Sequence, residues 1–370
     1  MAEIRIENLF KEFGGFAAVR GTSFTIADGE FFCLLGPSGC GKTTTLRMIA
    51  GLELPTSGTI RLGGEDVTFR RARERDIAMV FQLFALYPHM NVRRNIAFPL
   101  VSMGVPKGEI RRRVEEAARI LRIDHLIDRP VSGLSSGDRQ RVALGRAIVR
   151  EPKAFLMDEP LGALDAEFRH IMCGELRALH DRLKATTVFV THDQLEAMSM
   201  ADTIAVMNRG VVEQLGTPQE IYDRPATMFV ADFIGSPAMN FIRFAGRLGA
   251  GANCVRIDGA EIGVPELRED AGSDELILGV RPEQVALSAE GGLRGEVFGT
   301  EYLGTTQIIT VTTSHGIVKA RAPAAVRVQR AEPVGLSFRA DRLSLFDAAT
   351  GRAVRTALYE QPVRGGRHHG

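Results

Sequence analysis

The sequence predicts two domains: a parallel α/β sheet with antiparallel and helical additions, followed by a small β-barrel. Three observations carry this. Short apolar runs of strand length alternate with helical stretches through the first two thirds, as in FFCLL (31–35), AFLMD (154–158), TTVFV (186–190) and TIAVM (203–207). A glycine-rich loop, GPSGCGKTT (36–44), stands between the first of these runs and a helical stretch. Beyond Ser236 the chain turns to glycine-punctuated β-like runs: NCVRI, LILGV, GEVFG, TQIITV, GIVKA and GLSFRA.

Taken in order, IRIENLF and TSFTIADGE, broken by GG and DG, predict antiparallel strands before FFCLL, and residues 42–50 predict a helix. Residues 107–121 place Val114, Ala117, Ala118 and Leu121 at helical spacing within a helical insertion at about 91–150. The helix after AFLMD is expected to bury Phe168, Ile171, Met172, Leu176, Leu179 and Leu183 along one stripe, with Cys173 beside them in the core. TPQE (217–220) joins a cap, a first-turn proline and a reciprocal glutamate, so another helix starts there. Composition places the domain boundary at 235/236, the β-rich domain at 236–350, and a disordered basic, glycine-rich tail at 351–370, whose His368 and His369 read as tail residues.

At 370 residues the chain exceeds one comfortable core. Its 46 basic and 45 acidic side chains nearly cancel, which leaves no global field for a nucleic acid or an anionic membrane. Apolar runs fall short of the roughly 20 residues that cross a bilayer, and no signal pattern opens the chain. The four cysteines, Cys33, Cys40, Cys173 and Cys254, lack CxxC spacing and suit a reducing compartment.

Chemistry concentrates at few positions. In GPSGCGKTT the residues Gly36, Pro37, Ser38, Gly39, Cys40, Gly41, Lys42, Thr43 and Thr44 form a phosphate loop: glycines let backbone N–H groups close round phosphates, Lys42 neutralises charge, and the Thr43 hydroxyl can hold Mg²⁺. Asp158 closes an apolar strand and can reach Mg²⁺ through water, while Glu159 can deprotonate an attacking water; the bland alternative is a carboxylate pair capping the next helix. His192 lies just past a strand's carboxyl end, where open α/β sheets bind ligands, and is expected to touch a γ-phosphate. Asp193 and Glu196 have capping-box spacing. Gln82, after the strand IAMVF, is placed to touch Mg²⁺ or the water, although alone it reads as an ordinary loop residue.

Residues 134–159, LSSGDRQRVALGRAIVREPKAFLMDE, set a helix start shortly before that carboxylate pair. With the phosphate loop, Gln82, LGALD (161–165), His192, FIGSPAMNF (233–241) and LGVRPEQV (278–285), the chain resembles the ATP-binding subunit of a bacterial ABC importer of the maltose-transporter type, over nearly all of 1–347. The resemblance implies a RecA-like P-loop cassette with an OB/TOBE-like β-barrel behind it, and ATP and Mg²⁺ as cofactors. It implies an ATP hydrolase that couples MgATP binding and hydrolysis to uptake of a carbohydrate or polyol at the cytoplasmic face of the inner membrane. Importers of glycerol-type compounds, polyamines, sulfate or iron carry similar appendices.

Position by position, Phe13 resembles the aromatic that stacks on adenine, although a Phe before Gly14-Gly15 also fits a core. Ser135 and Gly137 resemble signature residues that reach the γ-phosphate of the opposite subunit, and Asp165 the carboxylate that crosses that interface. Gln82 with LFALYPHM, through Met90, resembles the segment that docks the membrane subunit. Implied partners are a second cassette, as homodimer or heterodimer, two transmembrane permease subunits, and indirectly an extracytoplasmic solute-binding protein. A soluble ABC ATPase of DNA repair or translation, or an idle partner subunit, would share the phosphate loop; the single cassette argues against the first and the retained Glu159 and His192 against the second.

The chain departs from the family's LSGGQ at Ser136 and Asp138, and from its usual turn at LGALD. Ser135 and Asp138 have capping-box spacing, which stabilises the helix start by about 1 kcal/mol. Against this, a carboxylate roughly 8 Å from phosphate charge, at an effective dielectric near 20, costs about 2 kcal/mol per uncompensated unit. Lys42, Mg²⁺ and Arg139 are expected to offset much of that cost, leaving closure of the two-cassette sandwich weakened but not lost.

Overall fold

The computed structural model describes residues 2–81, 85–150, 152–162, 164–289 and 291–360. The chain divides into two compact units, Met1–Pro218 and Gln219–Gly370.

The first unit opens with β1 (Ile4–Phe13) and β2 (Phe16–Ile26), an antiparallel pair as the alternating pattern predicts. β3 (Phe31–Leu35) is buried along its whole length and leads through the glycine loop into α1 (Lys42–Ala50). β4 (Ser57–Leu62) and β5 (Glu65–Asp66) complete a four-stranded sheet in the order β2-β1-β4-β5. After β6 (Ile77–Val80) come the helices α2 (Val92–Ser102), α3 (Lys107–Ile120) and α4 (Ser136–Ile148), the helical segment anticipated at about 91–150. β7 (Ala154–Asp158), α5 (Ala166–Leu183), β8 (Thr186–Thr191), α6 (Gln194–Met200), β9 (Thr203–Asn208) and β10 (Val211–Gly216) finish the unit.

A second sheet runs β10-β9-β3-β8-β7-β6, parallel from β9 to β6 with β10 as an antiparallel edge. The register pairs Leu35 with Thr191 and Val190 with Asp158. The carboxyl ends of β3, β8 and β7 therefore lie side by side, and each loop that leaves them starts from the same edge.

The expected stripe of α5 needs correction. Met172, Cys173, Leu176 and Leu179 are buried as anticipated, but Phe168 and Leu183 are only half-buried and Ile171 is 48% exposed. The inner face rotates instead towards His180, which packs edge-on to Phe31 at 5.1 Å and whose Nδ1 lies 3.2 Å from the Thr187 hydroxyl.

The second unit begins with α7 (Pro218–Asp223), which starts at the anticipated cap, and α8 (Met228–Phe233). Its strands are β11 (Asn240–Ala245), β12 (Cys254–Ile257), β13 (Ala260–Gly263), β14 (Glu275–Val280), β15 (Val285–Leu287), β16 (Leu293–Tyr302), β17 (Thr306–Thr313), β18 (Gly316–Pro323), β19 (Pro333–Phe338) and β20 (Ser344–Asp347). All their pairings are antiparallel, and Ile242, Leu278, Val297, Ile309, Val311 and Leu336 share one buried core.

The units part at Pro218, earlier than the composition change at 235/236. A buried arginine gives the reason: Arg281, from LGVRPEQV, donates to the carbonyl oxygens of Tyr222, Ala231 and Ile234 and lies 4.2 Å from the centre of the Tyr222 ring. It gathers the last carbonyls of α7 and α8 and fastens both helices to the β-rich unit. The anticipated disorder from 351 onward is also corrected for 351–360. Thr356 and Leu358 are buried, and Arg352 and Thr356 bridge to Thr227 and Leu267. Residues 361–370, with His368 and His369, lie outside the described part.

Burial pushes the His180 imidazole below its ordinary value of 6.5. A lowered folded pKa favours the neutral ring, so its contribution to stability is complete above 6.5 and is lost as pH falls from there through the folded pKa. Within that window the slope approaches about 1.4 kcal/mol per pH unit. Chemical denaturation of the His180→Gln variant as a function of pH should show a flatter acid limb than the parent.

Candidate functional site

The phosphate loop owes its course to glycine. Gly39 and Gly41 sit at φ +78° and +105°, in the left-handed region, and a Cβ on Gly41 would stand 2.5 Å from the Ala18 carbonyl oxygen. Gly41 is also the N-cap of α1 and offers no side chain, so the first N–H groups of that helix keep no side-chain cap. An uncapped helix start carries partial positive charge and open donors, which suits a phosphate.

Lys42 is buried, and its ammonium donates to the carbonyl oxygens of Gly36 at 2.8 Å and Pro37 at 3.0 Å, with the Cys40 sulfur at 3.9 Å. Burial pushes the Cys40 thiol above its ordinary range despite that ammonium, so it stays protonated and fills space.

Opposite the loop, the Thr43 hydroxyl donates to Asp158 Oδ1 at 3.0 Å, across 115 residues of sequence. Burial raises the Asp158 carboxyl above its usual range, opposed by the Thr43 hydrogen bond. A hydroxyl and a carboxylate at one point are hard oxygen donors, and they fit Mg²⁺.

Glu159 follows at φ +43°, unusual for a residue with a side chain, and is held there by Glu159 N–H to Val190 O at 3.0 Å and Gly162 N–H to Glu159 O at 3.2 Å. Its Oε2 lies 3.3 Å from His192 Nδ1. The alternative that Asp158 and Glu159 cap the next helix fails, because Asp165 is the N-cap of α5, accepting from Phe168 N–H at 2.9 Å. Lys42, Thr43, Asp158, Glu159 and His192 thus meet at one sheet edge. Gln82, anticipated beside them, lies outside the described residues.

The remaining anticipated residues form separate groups. Phe13 ends β1 at a hairpin turned by Gly14 and Gly15; it is 45% exposed with the Lys11 ammonium 4.6 Å from its ring centre, which rules out the core alternative. Ser135 is the N-cap of α4, and Gly137 lies beneath Phe168, where a Cβ would come within 2.0 Å of the ring.

The capping boxes differ from expectation. Ser135 Oγ accepts from Asp138 N–H at 3.1 Å, but the Asp138 carboxylate accepts from the Ser135 hydroxyl, at 2.7 Å, and not from the serine N–H. Arg141 Nη1, 3.7 Å from Asp138 Oδ1, supplies the cation expected from Arg139. Asp193 caps α6, whereas Glu196 turns inward to accept from the Thr191 hydroxyl at 2.6 Å.

Some residues left no signal in the sequence. Arg75, 1% exposed, donates to the carbonyl oxygens of Met48, Ile49, Thr68 and Arg70 and so closes the carboxyl end of α1. Burial brings its guanidinium down to about 10, still charged at neutrality. Gly51 makes room, since a Cβ there would meet Arg75 Nε at 2.6 Å. Asn95, fully buried, accepts from Tyr87 N–H and donates to the carbonyls of Tyr87, Met90 and Asn91, which fixes the loop before α2. Beside that loop Tyr87 packs tilted against Phe98, ring centres 4.4 Å apart. The pair borders a groove of about 440 Å³, lined also by Met79, Phe81, Met103 and Arg146.

A glycine loop between a buried strand and a helix, a threonine facing a strand-end aspartate, and a carboxylate–imidazole pair beyond them define a P-loop nucleoside triphosphatase. Comparison with known proteins narrows the class. The ABC transporter family model matches residues 19–162, the MalK OB fold domain 235–285 and the TOBE domain 278–346. The trehalose import ATP-binding protein SugC of Mycobacterium tuberculosis is 46% identical over 387 residues, covering 95% of this chain and 98% of its own. The sn-glycerol-3-phosphate import ATP-binding protein UgpC of Cereibacter sphaeroides is 47% identical over 357 residues, covering 96% of this chain and 100% of its own. The solved structure of cbiO1 from Clostridium perfringens, part of the ABC transporter complex cbiONQ, superposes with a TM-score of 0.56 at 31% identity, over 59% of this chain and 89% of that one. The chain belongs to the ATP-binding proteins of ABC transporters, in the import group that carries MalK OB and TOBE domains.

The Ser135–Asp138 contact sets an expectation for pairing. In a Glu159→Gln background, Asp138→Gln frees the Ser135 hydroxyl and removes one negative charge, so MgATP-dependent self-association should strengthen by about tenfold, out of about 30-fold for 2 kcal/mol of uncompensated repulsion. Light scattering across a MgATP titration measures it.

Proposed function

We infer that this chain is the ATP-hydrolysing subunit of an importer for a sugar or a polyol phosphate. One observation carries the chemistry: Lys42, Thr43, Asp158, Glu159 and His192 converge where three parallel strands end together. The relatives' names carry the cargo class. At nearly equal identity they read trehalose and sn-glycerol-3-phosphate, which supports a cargo among carbohydrates and phosphorylated polyols.

In the reading we propose, the phosphates of ATP lie over the uncapped start of α1, with backbone N–H groups from Gly39 to Thr43 and the Lys42 ammonium taking up their charge. Phe13 stacks on the adenine from its exposed hairpin. Thr43 and Asp158, with Gln82 as the third candidate, would hold Mg²⁺, which supplies neutralisation of phosphate charge when bound. Glu159 accepts a proton from the water that attacks the γ-phosphorus in line, and ADP leaves as the opposite bond breaks. His192, against Glu159 Oε2, orients that carboxylate and donates to the γ-phosphate oxygens. Beyond that proton transfer, the protein supplies positioning and charge neutralisation.

Ser135 and Gly137 complete the site of a second cassette, with Asp165 at the shared interface, and the groove beside Tyr87 and Phe98 receives the membrane subunits. Among the described residues no helix is long and apolar enough to cross a membrane. The chain then works from the cytoplasmic face of the inner membrane, bound through those permease subunits and served by an extracytoplasmic solute-binding protein.

Two measurements test this reading. Glu159→Gln should retain MgATP binding while its turnover falls about 10³-fold, the scale of losing a general base, and uptake by cells relying on it should stop; hydrolysis near the parental rate would overturn the assignment of the base. Phe98→Asp should stop co-purification with the permease subunits of its transporter while ATP binding persists. Retained co-purification would remove the groove from the docking surface.

A further inference from the structure

Arg169, in the first turns of α5, belongs to neither the phosphate loop nor the carboxylate pair, yet its guanidinium joins three elements around them. Nη2 donates to the carbonyl oxygen of Leu164 at 2.9 Å, in the turn that ends at Asp165. Nη1 donates to Asp193 Oδ2 at 2.9 Å, directly after His192. Nε stands 3.5 Å from Glu196 Oε1, a charge contact outside hydrogen-bond geometry.

The acceptors are themselves engaged. Asp193 Oδ1 takes the N–H groups of Leu195 and Glu196, so both carboxylate oxygens are in use. Glu196, 4% exposed, accepts from the Thr191 hydroxyl through Oε2, and Thr191 Oγ1 accepts from Asp193 N–H at 2.9 Å. The ring of contacts from Leu164 through Arg169 to Asp193, Glu196 and Thr191 closes around the backbone of residue 192. A planar guanidinium can hold a carbonyl and a carboxylate at once in fixed geometry, which an ammonium on a flexible stem does not. Arg169 and Asp193 are 28% and 22% exposed, and ion pairs with that much solvent add little to stability. What this one fixes is direction.

We propose that Arg169 is a positioning residue for hydrolysis, coupling the turn ending at Asp165 to the loop that aims His192 at Glu159. The inference rests on the role given to His192 above. Because Leu164 directly precedes the residue assigned to the cassette interface, a displacement of that turn on pairing reaches the imidazole through one side chain.

The test is a double-mutant cycle on the full chain. Single-turnover MgATP hydrolysis and fluorescent ATP-analogue binding are measured for the parent, Arg169→Met, Arg169→Lys, His192→Ala and the two double variants. Arg169→Met should lower the hydrolysis rate about tenfold with nucleotide affinity unchanged within about twofold, the split expected when an interaction acts only in the transition state. Arg169→Lys should recover only part of the rate, and neither substitution should slow the His192→Ala protein further. Equal losses in both backgrounds would overturn the coupling while leaving His192 its role. A His192→Ala protein at the parental rate would overturn that role and the coupling with it. Should Arg169→Met fail to fold, Arg169→Lys in the two backgrounds decides by the same comparison.

Discussion

The arrangement depends on the hydrogen-bond register of three parallel strands. β3 and β8 pair Leu35 with Thr191, and β8 and β7 pair Val190 with Asp158. A parallel ladder is buried on both faces and its strands cannot slip without moving apolar side chains out of the core, so the register is tightly specified. Slippage by one residue would carry Asp158 away from Thr43 and His192 away from Glu159, contacts of 3.0 and 3.3 Å that have little slack. The loops vary in chemistry, but their starting points do not.

On that frame, α1 is held by cations at both ends, and each is satisfied by backbone oxygen. Lys42 draws in the carbonyls of the loop that precedes the helix, and Arg75 collects the carbonyls of Met48 and Ile49 where it ends. The second arrangement also suits the negative end of the helix dipole. It leaves the positive end uncapped, as binding a polyanion requires, so the helix is anchored at the end away from the chemistry. A buried guanidinium bonded only to carbonyls keeps its full charge, and removing it would leave several buried acceptors unmet, at a cost of about 1–3 kcal/mol for each.

What could be read in advance was local. The phosphate loop, the limits of α1, the buried strands and the carboxylate pair follow from spacing over a few residues, and each stands where spacing puts it. Arg75 and Arg169 could not be found that way. Their acceptors are largely main-chain carbonyls, or lie more than twenty residues off, and a carbonyl leaves no mark on a sequence. Ile171 shows the complementary difficulty: periodicity marks a stripe, but its centre depends on the facing sheet, and Phe31 draws His180 inward at the expense of Ile171. Residues 351–360 read as part of a basic, glycine-rich tail, yet three buried residues, Val354, Thr356 and Leu358, and a few bridges suffice once a sheet edge is there to receive them.

The departures from the family pattern fall on one side of the molecule's work. Elements that bind the chain's own nucleotide keep their chemistry, while Ser136, Asp138 and the LGALD turn alter surfaces assigned to a partner's nucleotide. The half-formed capping box at Ser135 supplies a physical reason for tolerance. Asp138 returns to α4 part of the stability that the substitution puts at risk elsewhere, because it accepts the Ser135 hydroxyl and lies against Arg141, which Glu175 also holds at 3.2 Å. Folding therefore does not select against the change. On the proposed pairing the cost falls at that step, since Ser135 donates a charge-assisted hydrogen bond of 2.7 Å to Asp138 that it would give up to reach a phosphate. On the proposed reading such a cassette meets the penalty at closure, the step at which a second cassette with a full signature would relieve one of the two interfaces.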